Sequence, residues 1–528
     1  MSKRIGVFGW GVVAPKSPDI SAFERNLSSA ESWLEPFDGF GPSNFLVGRP
    51  EFDFEIYRSW IDKRFEPRRF SQLSAKMGNT VKYAIGAFIQ ALGQNPGLEP
   101  LLNDLGHQAH IYVGTALGDF PLHFEHAIAY HRAQRRWNRF WCRDEHHPEL
   151  RAYRVADDEE KRRIRERVGA PEDPSLVDPL GDAYDEIGEK WETFWVERSD
   201  GLRGYLDKQI EIEREGITGD IDSGKKNVIR HKVTTRRKLN SEYGCPTEPW
   251  NAVDPNLLWN IPNIPAAQIS MLAHITGPTI APIAACSGFS VSLKMAIDAI
   301  QSDQAKVAVI GMTDPEPHAM SVGTFFGARV LSHDGQVSKP FTGFRGTHVA
   351  GGACIWIVGD ADYLTEQGFE PLGLEILSVA VSSDADHIIT PSQEGPRRAI
   401  QQALDEAGIA PKDVATWDMH ATATPGDWSE LQNILSVIPE TTAFTARKGS
   451  FGHGMSVCGG WELTAQHLGF SNGELHPVNL TDGEIHDQIR SSTNGLVQNR
   501  ARPTSGDVAG KINMGVGGVN ACVICRRW

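Results

Sequence analysis

Hydrophobic positions along this chain follow two rhythms. Short apolar runs at 4–10, 110–115, 278–285, 306–312 and 352–358 have the length and β-branched content of buried strands, and helically spaced apolar residues separate them. After about residue 371 the pattern begins again, with a strand-like 372–382, a helical 395–407, a strand-like 415–420 and a closing hairpin over 511–525. Strands alternating with helices predict βα units and parallel-biased sheets. Between 119 and 260 the alternation stops, and the chain turns polar. There 157–163 reads as a helix with salt-bridged faces, and a basic run extends from Lys225 through Arg236, Arg237 and Lys238.

One cysteine stands at a boundary between the two rhythms. Cys286 lies between the apolar 278–285 and a stretch in which Phe289, Leu293, Ala296, Ile297 and Ile300 recur at helical spacing. That places it in a helix's first turn, where unpaired N–H groups and the helix dipole favour a thiolate able to attack a thioester. The bland alternative is a cysteine that fills space. Three distant segments bear on the choice: His420 with Ala421, Thr422, Ala423 and Thr424 after a strand-like run; Lys448 five residues before His453; and the glycine-rich turn Gly515, Val516, Gly517, Gly518.

Taken in this order and spacing, the four segments resemble the β-ketoacyl synthases, condensing enzymes of the thiolase superfamily. The similarity extends to the opening strand and turn at 3–15, to 327–332 and to Lys339-Pro340-Phe341, leaving out one central insertion. It implies an α/β fold of two similar halves stacked in five layers, αβαβα. Residues 1–118 with 261–370 would form the half carrying the nucleophile, 371–528 the half carrying the histidines and lysine, and 119–260 a charged, largely helical insertion. The site would assemble where the halves meet.

The resemblance also implies roles. Cys286 would carry an acyl group, with its own backbone N–H and that of Val516 as oxyanion hole. His420 and His453 would stabilise the enolate formed as a malonyl-type thioester loses carbon dioxide, and Lys448 would orient them. Thr422 and Thr424 would hold the pantetheine arm of an acyl carrier protein or coenzyme A thioester, and Gly515–Gly518 would form a gating loop. Glu462, nine residues after His453, reads as structural. The expected activity is decarboxylative condensation in a fatty-acid or polyketide-like pathway, by a homodimer or a heterodimer with another synthase. Two alternatives stay open: a non-elongating acyltransferase, and a silent partner of the chain-length-factor type. Departures include Ala421 for a glycine, Gly346 for an aspartate, Gly352 for a glutamate and Val516 for the family's gating phenylalanine.

Composition narrows the classes. The chain has 528 residues, 40% hydrophobic, with net charge −15, which fits a large α/β enzyme and disfavours nucleic-acid binding. No apolar run reaches the ~18 residues of a membrane span, so the expectation is cytoplasmic. Seven cysteines without regular pairing argue against a disulfide framework. Neither Cys522 and Cys525 in the terminal strand nor the crowd of His123, His126, His131, Cys142, His146 and His147 matches a known ligand spacing, so no metal and no cofactor is expected. The basic run reads as a solvated face, or more sharply as a landing site for an acidic carrier protein.

Overall fold

The computed structural model describes residues 3–388, 392–504 and 506–528, with residue 223 by its backbone alone. Ten strands build its main sheet: β1 (Ile5–Val13), β2 (Ala109–Gly114), β3 (Thr279–Ile280), β4 (Val307–Asp314), β5 (Gly352–Asp360), β6 (Leu372–Ser383), β7 (Val414–Asp418), β8 (Ala443–Thr445), β9 (Val508–Gly515) and β10 (Val519–Arg526). Their spatial order is β8-β7-β9-β10-β6-β1-β5-β4-β2-β3. Followed inward from either end, the order is the same: third, second, fourth, fifth and first strand of a half. In each half the first three of these pair in parallel and the fifth strand runs antiparallel to both neighbours. The halves join where β1 pairs with β6.

Helices complete the layers. α1 (Asn79–Gln94) and α2 (Ile264–Ala273) cover the first half, while α4 (Glu394–Ala407) and α5 (Gly426–Leu435) cover the second. α3 (Gly288–Gln301) and α6 (Cys458–Phe470) pack on strands of both halves and form the middle layer. The five-layered, two-half architecture expected from the sequence is therefore present. The strands β1, β4 and β5 are buried at every position because helices lie on both faces, which is why they read as continuous apolar runs. Close approach depends on glycines at two contacts. A Cβ at Gly11 would lie 1.9 Å from the Ala87 carbonyl of α1, and one at Gly460 would lie 2.6 Å from the Phe289 ring of α3.

One expected strand is largely missing. Of 278–285 only Thr279 and Ile280 pair, at the sheet's open edge with both residues exposed. Pro282 has no N–H to offer a ladder, and its carbonyl fills the space beside Gly114. The chain from there to the cysteine is irregular.

Contacts divide the chain into two compact units, one made of the residues up to Leu122 with Leu258–Trp528, the other of His123–Leu257. The second is helical: most of Phe120–Trp141, then Pro148–Val155, Asp158–Val168, Tyr184–Glu197, Asp200–Glu213 and Ile221–Tyr243. It has two aromatic cores of its own, one around Tyr153, Trp191 and Trp195 and one around Trp137, Trp141 and Tyr205. The basic run lies on Ile221–Tyr243, where Lys232 and Arg236 pair with Glu213 while Lys225, Lys226 and Arg237 are exposed. No helix among the described residues is long and apolar enough to cross a membrane.

Candidate active site

The cysteine sits in a strained turn. Cys286 lies in the single 3-10 turn Ala285–Ser287, just ahead of α3 rather than inside its first turn as the periodicity suggested. Ala285 holds a φ of 45°, a left-handed conformation costly for a residue with a Cβ. What holds this turn comes from the other half: the Ser287 hydroxyl lies 2.7 Å from the Val519 carbonyl and 3.2 Å from that of Asn513. Asp314, at the end of β4, adds a second tie. Its carboxylate accepts from Thr115, Ala116 and Leu117 on one side and from the backbone N–H and hydroxyl of Ser456 on the other.

The histidines arrive on loops of the second half. His420 lies two residues beyond β7, and the loop behind it is held from beneath by two carboxylates of α5. Glu430 accepts the N–H groups of His420 and Ala421 at 2.6 and 2.7 Å, and Asp427 accepts those of Thr422 and Ala423 at 2.7 and 3.0 Å. This clamp sets the Thr422 and Thr424 hydroxyls 3.0 Å apart. His453 follows Gly452, whose φ of 79° turns the chain, and its Nδ1 accepts the Met455 N–H at 3.0 Å. In the neutral ring the proton therefore sits on Nε2, free to donate.

The structure brings the three side chains together. The Cys286 sulfur and one nitrogen each of His420 and His453 lie within 4.8 Å of one another, with the two rings 5.5 Å apart and nearly perpendicular. The N–H groups of Val516 and Cys286 are directed at that sulfur. The turn Gly515–Gly518 closes through Gly518 N–H to the Gly515 carbonyl, and Gly515 runs so near that a Cβ there would lie 3.3 Å from the Cys286 nitrogen. The Val516 side chain points outward and is 46% exposed.

Two family models match the chain, "Beta-ketoacyl synthase, N-terminal domain" over residues 230–358 and "Beta-ketoacyl synthase, C-terminal domain" over 374–480. Over these two stretches the chain carries the two domains of the β-ketoacyl synthase family. Its relatives include the 3-oxoacyl-[acyl-carrier-protein] synthase 2 of Staphylococcus aureus (strain COL), 28% identical over 280 residues, and that of Rhizobium meliloti (strain 1021), 27% identical over 278. These matches span 51% and 50% of this chain, and just under two thirds of the relatives' own length, 66% and 65%. Among solved structures, a β-ketoacyl synthase from Burkholderia phymatum STM815 shares the fold over the whole of both chains, with a TM-score of 0.67 at 17% identity. So does a type II polyketide synthase ketosynthase in complex with its acyl-carrier protein, at 0.62 and 16%.

In this chain the ground beneath the histidines is ionic. Lys448 donates to the His420 carbonyl and to Glu462 at 2.5 Å; the other Glu462 oxygen lies 2.8 Å from Lys511, which is also 3.2 Å from Asp418, itself 3.2 Å from Arg447. All five side chains are buried. Glu462 is thus an ionic partner of Lys448 rather than only a packing residue. Sequence reading missed Lys511, Asp418 and Asp314. Their signal was a lone charge in or at the end of an otherwise apolar strand, which surface statistics would assign to an exposed position.

Burial and this cluster set the proton affinities. Burial, then Lys448, hold His420 well below the usual imidazole range and His453 at about 3, so both rings are neutral donors across the physiological range. Despite burial, Lys448 is held above the usual lysine range by Glu462. Burial also pushes the Cys286 thiol up to about 11, against the pull of Lys448 and the Val516 N–H. The thiolate expected from helix position alone is therefore corrected: desolvation outweighs the dipole, and the resting site stores a neutral thiol. By donor type the same three atoms suit a soft cation, but the ammonium groups of Lys448 and Lys511 oppose a dication there.

The raised thiol has a measurable consequence. Since only the thiolate alkylates, iodoacetamide labelling of Cys286 should climb about tenfold per pH unit between pH 7 and 10. Peptide-resolved mass spectrometry reads this directly, and a rate already level near pH 7 would instead mean a stabilised thiolate.

Proposed function

We propose that the chain is a decarboxylating condensing enzyme that loads an acyl group on Cys286 and extends it with a malonyl-type thioester. The observation that carries this reading is the convergence of one thiol, two neutral imidazoles and two backbone N–H groups on one point. In loading, the Cys286 sulfur attacks the acyl carbonyl as its proton is transferred, and the Cys286 and Val516 N–H groups stabilise the oxyanion; the carrier thiol leaves with a proton. In extension, the bond to the carboxylate breaks, carbon dioxide departs, and its electron pair forms an enolate whose oxygen accepts from His420 and His453. The enolate carbon then attacks the acyl carbonyl, forming the new carbon–carbon bond and expelling the Cys286 sulfur, which takes up one proton from solvent to return to the thiol.

The clamped Thr422 and Thr424 hydroxyls suit the amides of a pantetheine arm, on an acyl carrier protein or coenzyme A. Residues 1–118 with 261–370 and residues 371–528 act here as the two halves that contribute the thiol and the imidazoles. Replacing either histidine by alanine should slow ¹⁴C-carbon dioxide release from a malonyl thioester by about two to three orders of magnitude and change Cys286 loading far less. Wild-type protein that loads acyl groups yet never decarboxylates would make it an acyltransferase. Failure of Cys286 to load at all would favour a silent partner of an active synthase.

The outward Val516 gives an acyl pocket less obstructed than one closed by an aromatic ring. Val516→Phe is expected to penalise bulky or branched acyl groups while leaving acetyl loading nearly unchanged. Acyl-loading profiles with thermal melting check this, since uniform loss with a lowered melting temperature would mean overpacking, about 1–3 kcal/mol.

The open edge β3, with Ile280 45% exposed, suits strand pairing with a second copy across a two-fold axis. Ile280→Asp is expected to yield monomers in sedimentation velocity, whereas an unchanged dimer would place the interface elsewhere.

A further inference from the structure

Lys511 belongs to the buried ionic cluster but has no step in the proposed reaction. It lies on β9, directly opposite Asp418 of β7 in the parallel register, with none of its surface exposed. Its Nζ lies 2.8 Å from Glu462, 3.2 Å from Asp418, 2.9 Å from the Ile512 carbonyl and 3.5 Å from that of Met419, the residue before His420. Glu462 therefore stands between two lysines, one on each carboxylate oxygen.

A charge count shows what this arrangement does. Asp418 and Arg447 neutralise each other. Lys448, Glu462 and Lys511 together carry one excess positive charge, whereas Lys448 with Glu462 alone would carry none. That excess lies under His420 and His453, in a region too dry to screen it. We propose that Lys511 is a positioning residue for decarboxylation: it supplies the net positive charge that the two neutral histidines convey to the enolate oxygen. This rests on the condensing reading above.

Other charges face the histidines, and none replaces Lys511. The α5 carboxylates Glu430 and Asp427 accept backbone N–H groups of the 420–424 loop; burial pushes them up to about 8 and about 6, so they lose negative charge as the pH falls, and they are common to wild type and variant. Asp314, on the cysteine side, is satisfied by five donors. Cys286 and Cys458 are both held as thiols by burial. Of the cations, Arg447 is committed to Asp418 and Lys448 to Glu462 and the His420 carbonyl. Lys511 also lowers the proton affinity of both histidines, after burial and Lys448.

Lys511→Met removes the charge and keeps most of the side chain's volume. The expected result is a one to two order-of-magnitude loss in carbon dioxide release, with Cys286 loading within about threefold of wild type and the acid limb of the release profile moved up by roughly one pH unit. The sign follows from the removed cation: the histidines then protonate at higher pH and cease to be neutral donors sooner. The double variant Lys511→Met/Glu462→Gln leaves Lys448 alone and restores the excess charge of one, so its acid limb should return to the wild-type position. A merely structural role predicts the opposite ordering, with both steps slowed alike, the limb unmoved and the double variant worse than the single. If Lys511→Met does not fold, the double variant alone decides: a wild-type limb supports the proposal and an upward shift overturns it. A single variant with wild-type release and limb overturns this proposal only; wild type that never decarboxylates overturns the reading beneath it.

Discussion

The site depends on the pairing of Lys448 with Glu462 in the dry middle of the molecule. Lys448 comes from the turn before His453, Glu462 from the fully buried α6, and the lysine also reaches the carbonyl of His420. One ammonium group therefore fixes the spacing of the two histidine loops and sets their electrostatics. In water such a pair would be worth little. Here the surroundings are largely dry, so the charges of this cluster act on the two imidazoles and the thiol with little screening.

The rest of the fold serves to bring that charge and the thiol to one place. Neither half contains a complete site: Cys286 sits at the head of α3 in the first, the histidines on loops after β7 and before α6 in the second. The joins are polar and specific. Ser287 reaches the β9–β10 hairpin, Asp314 reaches Ser456, and the chain before β5 pairs with His453 through Val349. These contacts hold Ala285 in a conformation it would not adopt alone, so the strain beside Cys286 is sustained by the meeting of the halves.

What the sequence made legible follows from the range of the forces involved. The strand and helix runs and the restart after residue 371 are local patterns, and all but the run at 278–285 appear in the structure close to their expected places. Two readings failed, and one feature went unread, where non-local terms decide. The run before Cys286 looked like a full strand, but Pro282 and the space beside Gly114 leave only Thr279 and Ile280 paired. Helix position favoured a thiolate, but burial outweighs a dipole acting over one turn. Lys511 and Asp418 drew no notice because a charge in an apolar strand shows its meaning only once its partner on the neighbouring strand is known.

The buried cluster is hard to explain as a device for stability. Taking each ion out of water costs ~several kcal/mol, and apolar replacements of buried pairs are often neutral or stabilising. Three buried cations and two buried anions are thus an expensive way to fill a core that leucines would fill as well. The cost becomes intelligible if the reaction needs an oxygen to bear negative charge without water to solvate it. A preorganised positive potential supplies that solvation in advance, through neutral imidazoles that need not move or change charge when the carboxylate leaves. The same potential adds to burial in lowering the affinity of the imidazoles for protons, so in the proposed reaction one placed charge would both stabilise the enolate and help keep its donors neutral.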